Sequence, residues 1–132
     1  MVNGKDTAKP KDIEDKPSSE VITAMEELLH LFEGVVNSNK TTKDDFYTLL
    51  KKRFLELADT YEFLDPFGGE FAYSDGTVRF TGKAKDEAMI KGILTAVTGL
   101  AGELGLASQF QTKAAAWFLK HSAKLKSFGI DR

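Results

Sequence analysis

Two histidines stand one helical turn from groups that could work with them. Glu27-Leu28-Leu29-His30 sets a carboxylate and an imidazole at i and i+3, neighbouring positions on one helix face from which both can reach a metal ion. Glu26 and Glu33 lie near the same histidine. His121-Ser122-Ala123-Lys124 places an imidazole one turn before an ammonium. Four more carboxylates, Glu62, Asp65, Glu70 and Asp75, crowd the middle of the chain. Paired carboxylates can perform acid–base work, but these sit in a loop and on a hairpin, with no histidine or nucleophile at a diagnostic spacing. Asp65 before Pro66 and Asp75 before Gly76 already have turn roles. Gly68-Gly69 lacks the lysine and hydroxyl of a phosphate loop. The chain has no cysteine, which excludes disulfides, thiolate zinc sites and cysteine nucleophiles.

The Glu27/His30 pair is similar to the ligand pairs of helical-bundle di-iron proteins, whose full site needs a second such pair and further inward carboxylates. The second histidine, His121, has Phe118 where that glutamate would stand. Glu26, His30 and Glu33 lie opposite the apolar stripe of their helix, so the expectation is a solvated acidic face with no metal and no cofactor. The His121-x-x-Lys124 string resembles the centre of histidine phosphotransfer domains, small helical bundles with an exposed phospho-accepting histidine and a nearby lysine. The resemblance covers four residues and implies His121 as phosphoacceptor. Leu125 stands where those domains carry glycine, and the chain ends too soon after His121 for their next long helix. His121 also shares a stripe with Trp117 and Leu125, which predicts a partly buried, hydrogen-bonded imidazole.

The elements that must position these residues are four helices around one hairpin. Asp75-Gly76 between alternating apolar runs predicts a type I′ turn, with Ser74 opposite Thr77, Tyr73 opposite Val78, Ala72 opposite Arg79 and Phe71 opposite Phe80. Phe71, Tyr73, Val78 and Phe80 then share an apolar face. Helix one runs from Ser18 or Ser19 to Asn37-Ser38-Asn39 on the stripe Val21, Met25, Leu28, Phe32, Val35. Helix two opens at Thr41-Thr42 and carries Phe46, Leu49, Leu50, Phe54, Leu57, Tyr61 and Leu64, until Pro66 stops it. Helix three, about 85–104, is nearly uncharged, and Ala88, Gly92, Ala96 and Gly99 form a small-residue groove open to another backbone. Helix four begins with Ser108-x-x-Gln111, a capping-box pattern, and its stripe runs Phe110, Ala114, Trp117, His121, Leu125, Phe128 to a stop at Gly129. The fold class is therefore α+β, mainly helical, in the order α-α-β-β-α-α, with the hairpin at about 70–81 packed on four helices. Residues 1–17 read as a disordered charged tail and 18–132 as one globular domain.

Net charge is −2, which argues against a dedicated nucleic-acid binder. No apolar run approaches the roughly 20 residues of a membrane span, and the polar amino-terminal segment is not a secretory signal, so a soluble cytoplasmic protein is expected. Charge is segregated: helix one carries Glu20, Glu26, Glu27 and Glu33 without a lysine, while Lys113, Lys120, Lys124 and Lys126 lie near the carboxyl end. These faces are complementary within a chain or between two.

The pattern points to a non-enzymatic interaction or regulatory domain acting as a homodimer and on a further protein partner. Its candidate interface is the hairpin (Phe71, Tyr73, Phe80), meeting a second hairpin edge to edge, with the glycine groove (Gly92, Ala96, Gly99) as the other surface. Two alternatives stand beside it. One is a sensor holding an apolar ligand among Phe54, Tyr61, Phe67 and Trp117. The other is phosphotransfer through His121.

Overall fold

The computed structural model describes residues 16–39 and 43–130. The expected tail, up to Asp15, lies outside them, as do Thr41 and Thr42, where the sequence opens helix two. The order is α1 (Ser19–Asn39), α2 (Phe46–Leu57), a 3-10 turn (Glu62–Leu64), β1 (Phe71–Ser74), β2 (Thr77–Phe80), α3 (Asp86–Glu103), α4 (Ala107–Lys120) and α5 (Ser122–Ser127). This is the mainly helical α+β arrangement that the periodicities predict.

α1 is the central helix. Its amino end is capped by Ser18, whose Oγ accepts the Val21 N–H at 3.2 Å, while the Ser18 N–H donates to Asp86 Oδ1 at 2.7 Å. That second bond ties the starts of α1 and α3 together. Along α1, Met25, Leu28, Leu29 and Phe32 are fully withdrawn from water. Phe32 meets the edges of Phe46 from α2 and Phe110 from α4, with ring centroids 5.6 and 5.2 Å apart. Edge-to-face pairs of this kind add about 0.5–1.5 kcal/mol beyond the area they bury.

The hairpin has the predicted register from Phe71↔Phe80 to Ser74↔Thr77. Asp75 (φ 53°) and Gly76 (φ 78°) both take the left-handed conformation that a type I′ turn requires. Phe71, Tyr73 and Val78 are buried and Phe80 is half-buried, so the apolar face is covered as expected. Phe71 packs edge-on to Phe54 at 5.5 Å, and Phe80 to Phe63 of the 3-10 turn at 5.7 Å.

Several details depart from the periodicity. α2 takes its cap from Asp45, whose side chain accepts the Thr48 N–H at 2.8 Å. The stripe expected to run on through Tyr61 and Leu64 breaks at Leu57, and the tighter 3-10 turn buries the adjacent pair Phe63 and Leu64 instead. The capping box at Ser108 is not used. Buried Leu106 holds the N-cap position of α4, because it is also the apolar residue that closes α3: its N–H reaches Ala101 O at 2.8 Å, and the Gly105 N–H (φ 72°) reaches Gly102 O. Gly129 and Ile130 end α5 in the same way, as the sequence predicts for Gly129. Helix four divides at His121, and the break lets Lys124 reach Glu20 and Asp86 while Leu125 is buried.

The glycine groove of α3 is filled from within the chain by side chains rather than by a backbone. A Cβ on Gly92 would stand 3.1 Å from Phe63 Cζ and 3.3 Å from the Tyr61 ring, and one on Gly99 would meet the Arg53 guanidinium at 3.3 Å. Gly34, exposed in the interior of α1, has open space around it. These two environments give opposite expectations. Gly34→Ala should raise stability by about 0.5–1 kcal/mol through helix propensity, and Gly92→Leu should lower it by about 1–3 kcal/mol through overpacking. Urea denaturation midpoints check both.

Candidate functional site

Glu26, His30 and Glu33 share one face of α1, and that face is only partly left to solvent: His30 is exposed, Glu26 and Glu33 half-buried. The hairpin lies across it. In this hairpin Ser74–Thr77 and Ala72–Arg79 are the hydrogen-bonded pairs, a phase confirmed by the Thr81 N–H to Glu70 O bond at 2.9 Å. The N–H groups of Val78 and Phe80 therefore point outward from β2 and need other acceptors. Glu26 Oε2 takes the Val78 N–H at 2.9 Å. Two turns along, Glu33 Oε1 accepts the Tyr73 hydroxyl at 2.7 Å. His30 comes under the turn, with Nδ1 3.5 Å from where a Cβ of Gly76 would stand. The acidic face is thus a docking surface for the strand edge, because an unpaired edge N–H next to a helix finds its best acceptor in a carboxylate. Burial, reinforced by the Glu33 carboxylate, pushes the Tyr73 hydroxyl well above its ordinary pKa.

Glu27, one residue along, turns to α4 instead. It pairs with Lys120 Nζ at 3.0 Å and His121 Nε2 at 3.3 Å, while Lys124 reaches Glu20 at 3.6 Å. The complementary charges of the first and last helices thus meet inside one chain. The hydrogen bond from Lys120 holds the Glu27 carboxyl below its usual range, with His121 adding to the effect. Trp117 Nε1 donates to Ala24 O at 2.9 Å, and its ring lies 4.9 Å from the His121 ring. The His121 side chain is 15% exposed, partly buried and hydrogen-bonded as its stripe predicts. Glu27 and His30 serve different neighbours, and among the described residues no group of three or more histidines and carboxylates is placed to hold a metal.

The four aromatics expected to line one pocket lie apart. Phe54 borders a groove of about 180 Å³ between α2 and β1, with Tyr47, Lys51, Pro66 and Gly69. Tyr61 borders an open groove of about 480 Å³ along α3, with Leu94, Thr98 and Ile130. In that second groove Thr98 Oγ1 is shielded from water and has no hydrogen-bond partner among the described residues. Trp117 belongs to the α1–α4 seam, and Phe67 stands 86% exposed in the loop before β1. Of the expected interface residues, Phe71, Tyr73, Gly92 and Ala96 are buried within the chain, while Phe80 and Gly99 are half-buried.

What remains without hydrogen-bond partners is the Phe80 N–H at the end of β2 and the outer edge of β1. The same alternation that turns Val78 outward from β2 turns the N–H and C=O of Phe71 and Tyr73 outward from β1. Neither N–H finds an acceptor among the described residues. The next outward group, the Asp75 N–H, is taken by the Tyr47 hydroxyl at 3.2 Å, which closes the edge at the turn. Tyr47 lies on none of the apolar stripes read from the sequence. Its signal was a phenolic hydroxyl beside core residue Phe46, a group that seeks a polar partner when its ring packs.

Both carboxylate contacts carry a pH signature. Tyr73 is raised above its ordinary 10.0, so its contribution is complete below that pH and is lost as pH climbs towards the folded value. Glu27 is lowered from 4.5, so its contribution is present above that pH and is lost as pH falls through the depressed value. Tyr73→Phe should therefore flatten part of the alkaline loss of stability, and Glu27→Gln part of the acid loss. Urea midpoints across both pH limbs measure each.

Comparisons with protein-family models, with curated proteins and with solved structures return no match to this chain.

Proposed function

We propose that this chain is a non-enzymatic interaction domain that acts as a homodimer, joined along the outer edge of β1. One observation carries the reading: the two edges of the hairpin are treated differently. Glu26 satisfies one of the two outward N–H groups of β2, that of Val78, and leaves the Phe80 N–H at the strand end, whereas on β1 the outward groups of both Phe71 and Tyr73 have no partner among the described residues. Edge strands that must stay single are ordinarily blunted by lysine, proline or a bulge. β1, Phe71-Ala72-Tyr73-Ser74, has none of these in its own sequence, and α2 flanks it across a groove without hydrogen-bonding to the Phe71 or Tyr73 backbone. An aromatic-walled groove lies beside it, and Phe67 is exposed in the loop that leads into it. Among the groups with the chemistry for catalysis, Glu26, Glu27, Glu33 and His121 are engaged in holding α1 to the hairpin and to α4. Light scattering coupled to size exclusion should give a dimer at high micromolar concentration. Ala72→Lys, at an exposed position on that edge, should give a monomer with unchanged helical circular dichroism. A wild-type monomer at that concentration would sink the reading.

A second reading, a sensor for a small apolar ligand, is favoured by the Tyr61 groove and its unpartnered Thr98 hydroxyl. A ligand for it is apolar, lying against Leu94, Tyr61 and Ile130, with one carbonyl acceptor that meets the Thr98 hydroxyl once the ligand displaces the atoms shielding it. Cyclohexanone and short N-alkyl amides should give a saturable rise in Tm that Thr98→Val abolishes, with the unliganded Tm unchanged or higher. No shift with any of them would discard this reading.

A further inference from the structure

Accepting the β1 edge as the self-association surface, we infer that two copies pair β1 with β1 about a two-fold axis at Ala72. The argument is one of phase and supply. Only residues whose N–H and C=O point away from β2 can bond a new strand, and within β1 these are Phe71 and Tyr73. Asp75, next in the outward series, is already occupied by Tyr47. A two-fold axis perpendicular to the sheet sets β1 antiparallel to its copy, continuing the sense of the hairpin into a four-stranded sheet ordered β2-β1-β1-β2. Placing Phe71 opposite the partner's Tyr73, and Tyr73 opposite the partner's Phe71, engages every outward group of both strands. An axis at Phe71 or at Tyr73 pairs only that residue with its copy and leaves the other's groups to seek partners outside β1.

The chosen register has a steric corollary. Ala72 faces the partner's Ala72 at a non-hydrogen-bonded position, where Cα atoms approach to about 4.5 Å and side chains are closest. Ala72 is exposed on the polar face, and its methyl is the smallest side chain that face offers in β1. On either side of it Ser74 faces the partner's Glu70, a hydroxyl against a carboxylate, so no like charges meet across the axis.

A chain without cysteine makes the register directly readable, because a pair of facing non-hydrogen-bonded positions has the Cα separation a disulfide needs. Single variants Ala72→Cys, Glu70→Cys and Ser74→Cys are purified reduced, confirmed folded by circular dichroism, sized by light scattering and then oxidised mildly. In the inferred register Ala72→Cys passes mostly into covalent dimer. Glu70→Cys and Ser74→Cys each stay uncrosslinked alone, but an equimolar mixture of the two yields the crosslinked heterodimer. Crosslinking of Glu70→Cys or Ser74→Cys alone, with Ala72→Cys inert, would overturn the register and leave edge pairing standing. A dimer in which no variant or mixture crosslinks would place the interface elsewhere. A monomer at high micromolar concentration would remove the reading beneath it as well.

Discussion

α1 has a partner on each side, and the rest of the domain follows from supplying them. Its apolar stripe, with Met25, Leu28, Leu29 and Phe32 out of water, draws α2, α3 and α4 around it. Its carboxylates make a second, polar demand. Glu26 and Glu33 receive the hairpin, and Glu27 receives Lys120 and His121. One helix thus presents an oily side and two charged ones, each matched by a different element. The hydrophobic side contributes most of the free energy, since solvent-exposed ion pairs are worth only about 0–1 kcal/mol each. The carboxylates mainly decide position: which strand edge lies on α1, and how α4 is set against it.

That positioning has a consequence for association. A two-stranded hairpin has two edges, and on β2 a carboxylate of α1 takes the Val78 N–H. Tyr47 closes the turn end of the other. What is left is the Phe80 N–H at the end of β2 and a short stretch of β1 with outward groups at Phe71 and Tyr73, beside a groove shared with α2. Glu26, one of the residues whose type and spacing suggest chemistry, is the one that creates this asymmetry.

Much of the fold was legible in the chain. Asp75-Gly76 carries both positive-φ positions of the turn, so the register from Phe71↔Phe80 onward followed from local geometry. Period-3.6 stripes placed three helices closely, and the pairing of acidic helix one with the basic carboxyl-terminal helix was visible in their charges. Less was legible where two elements compete for one residue. Ser108 and Gln111 have the form of a cap, but Leu106 had to close α3 and so took the start of α4 with it. The Gly92 groove reads as room for a backbone, and only the 3-10 turn, by delivering Tyr61 and Phe63 together, explains what fills it. The acidic face of α1 reads as solvated because no local rule reveals that a strand edge 52 residues away needs an acceptor.

The sequence by itself determined which segments are helix, where the chain reverses and which faces are apolar, because those depend on backbone propensity, turn chemistry and side-chain period, all short-range. Only the tertiary structure decided what each polar side chain serves. Hydrogen-bond and charge pairing depend on which distant groups are left unsatisfied once the apolar faces have met. Glu26 and Glu27 are adjacent and chemically identical, yet one holds a strand and the other a helix, a distinction set by helical rotation and by the neighbours that packing brought to each side.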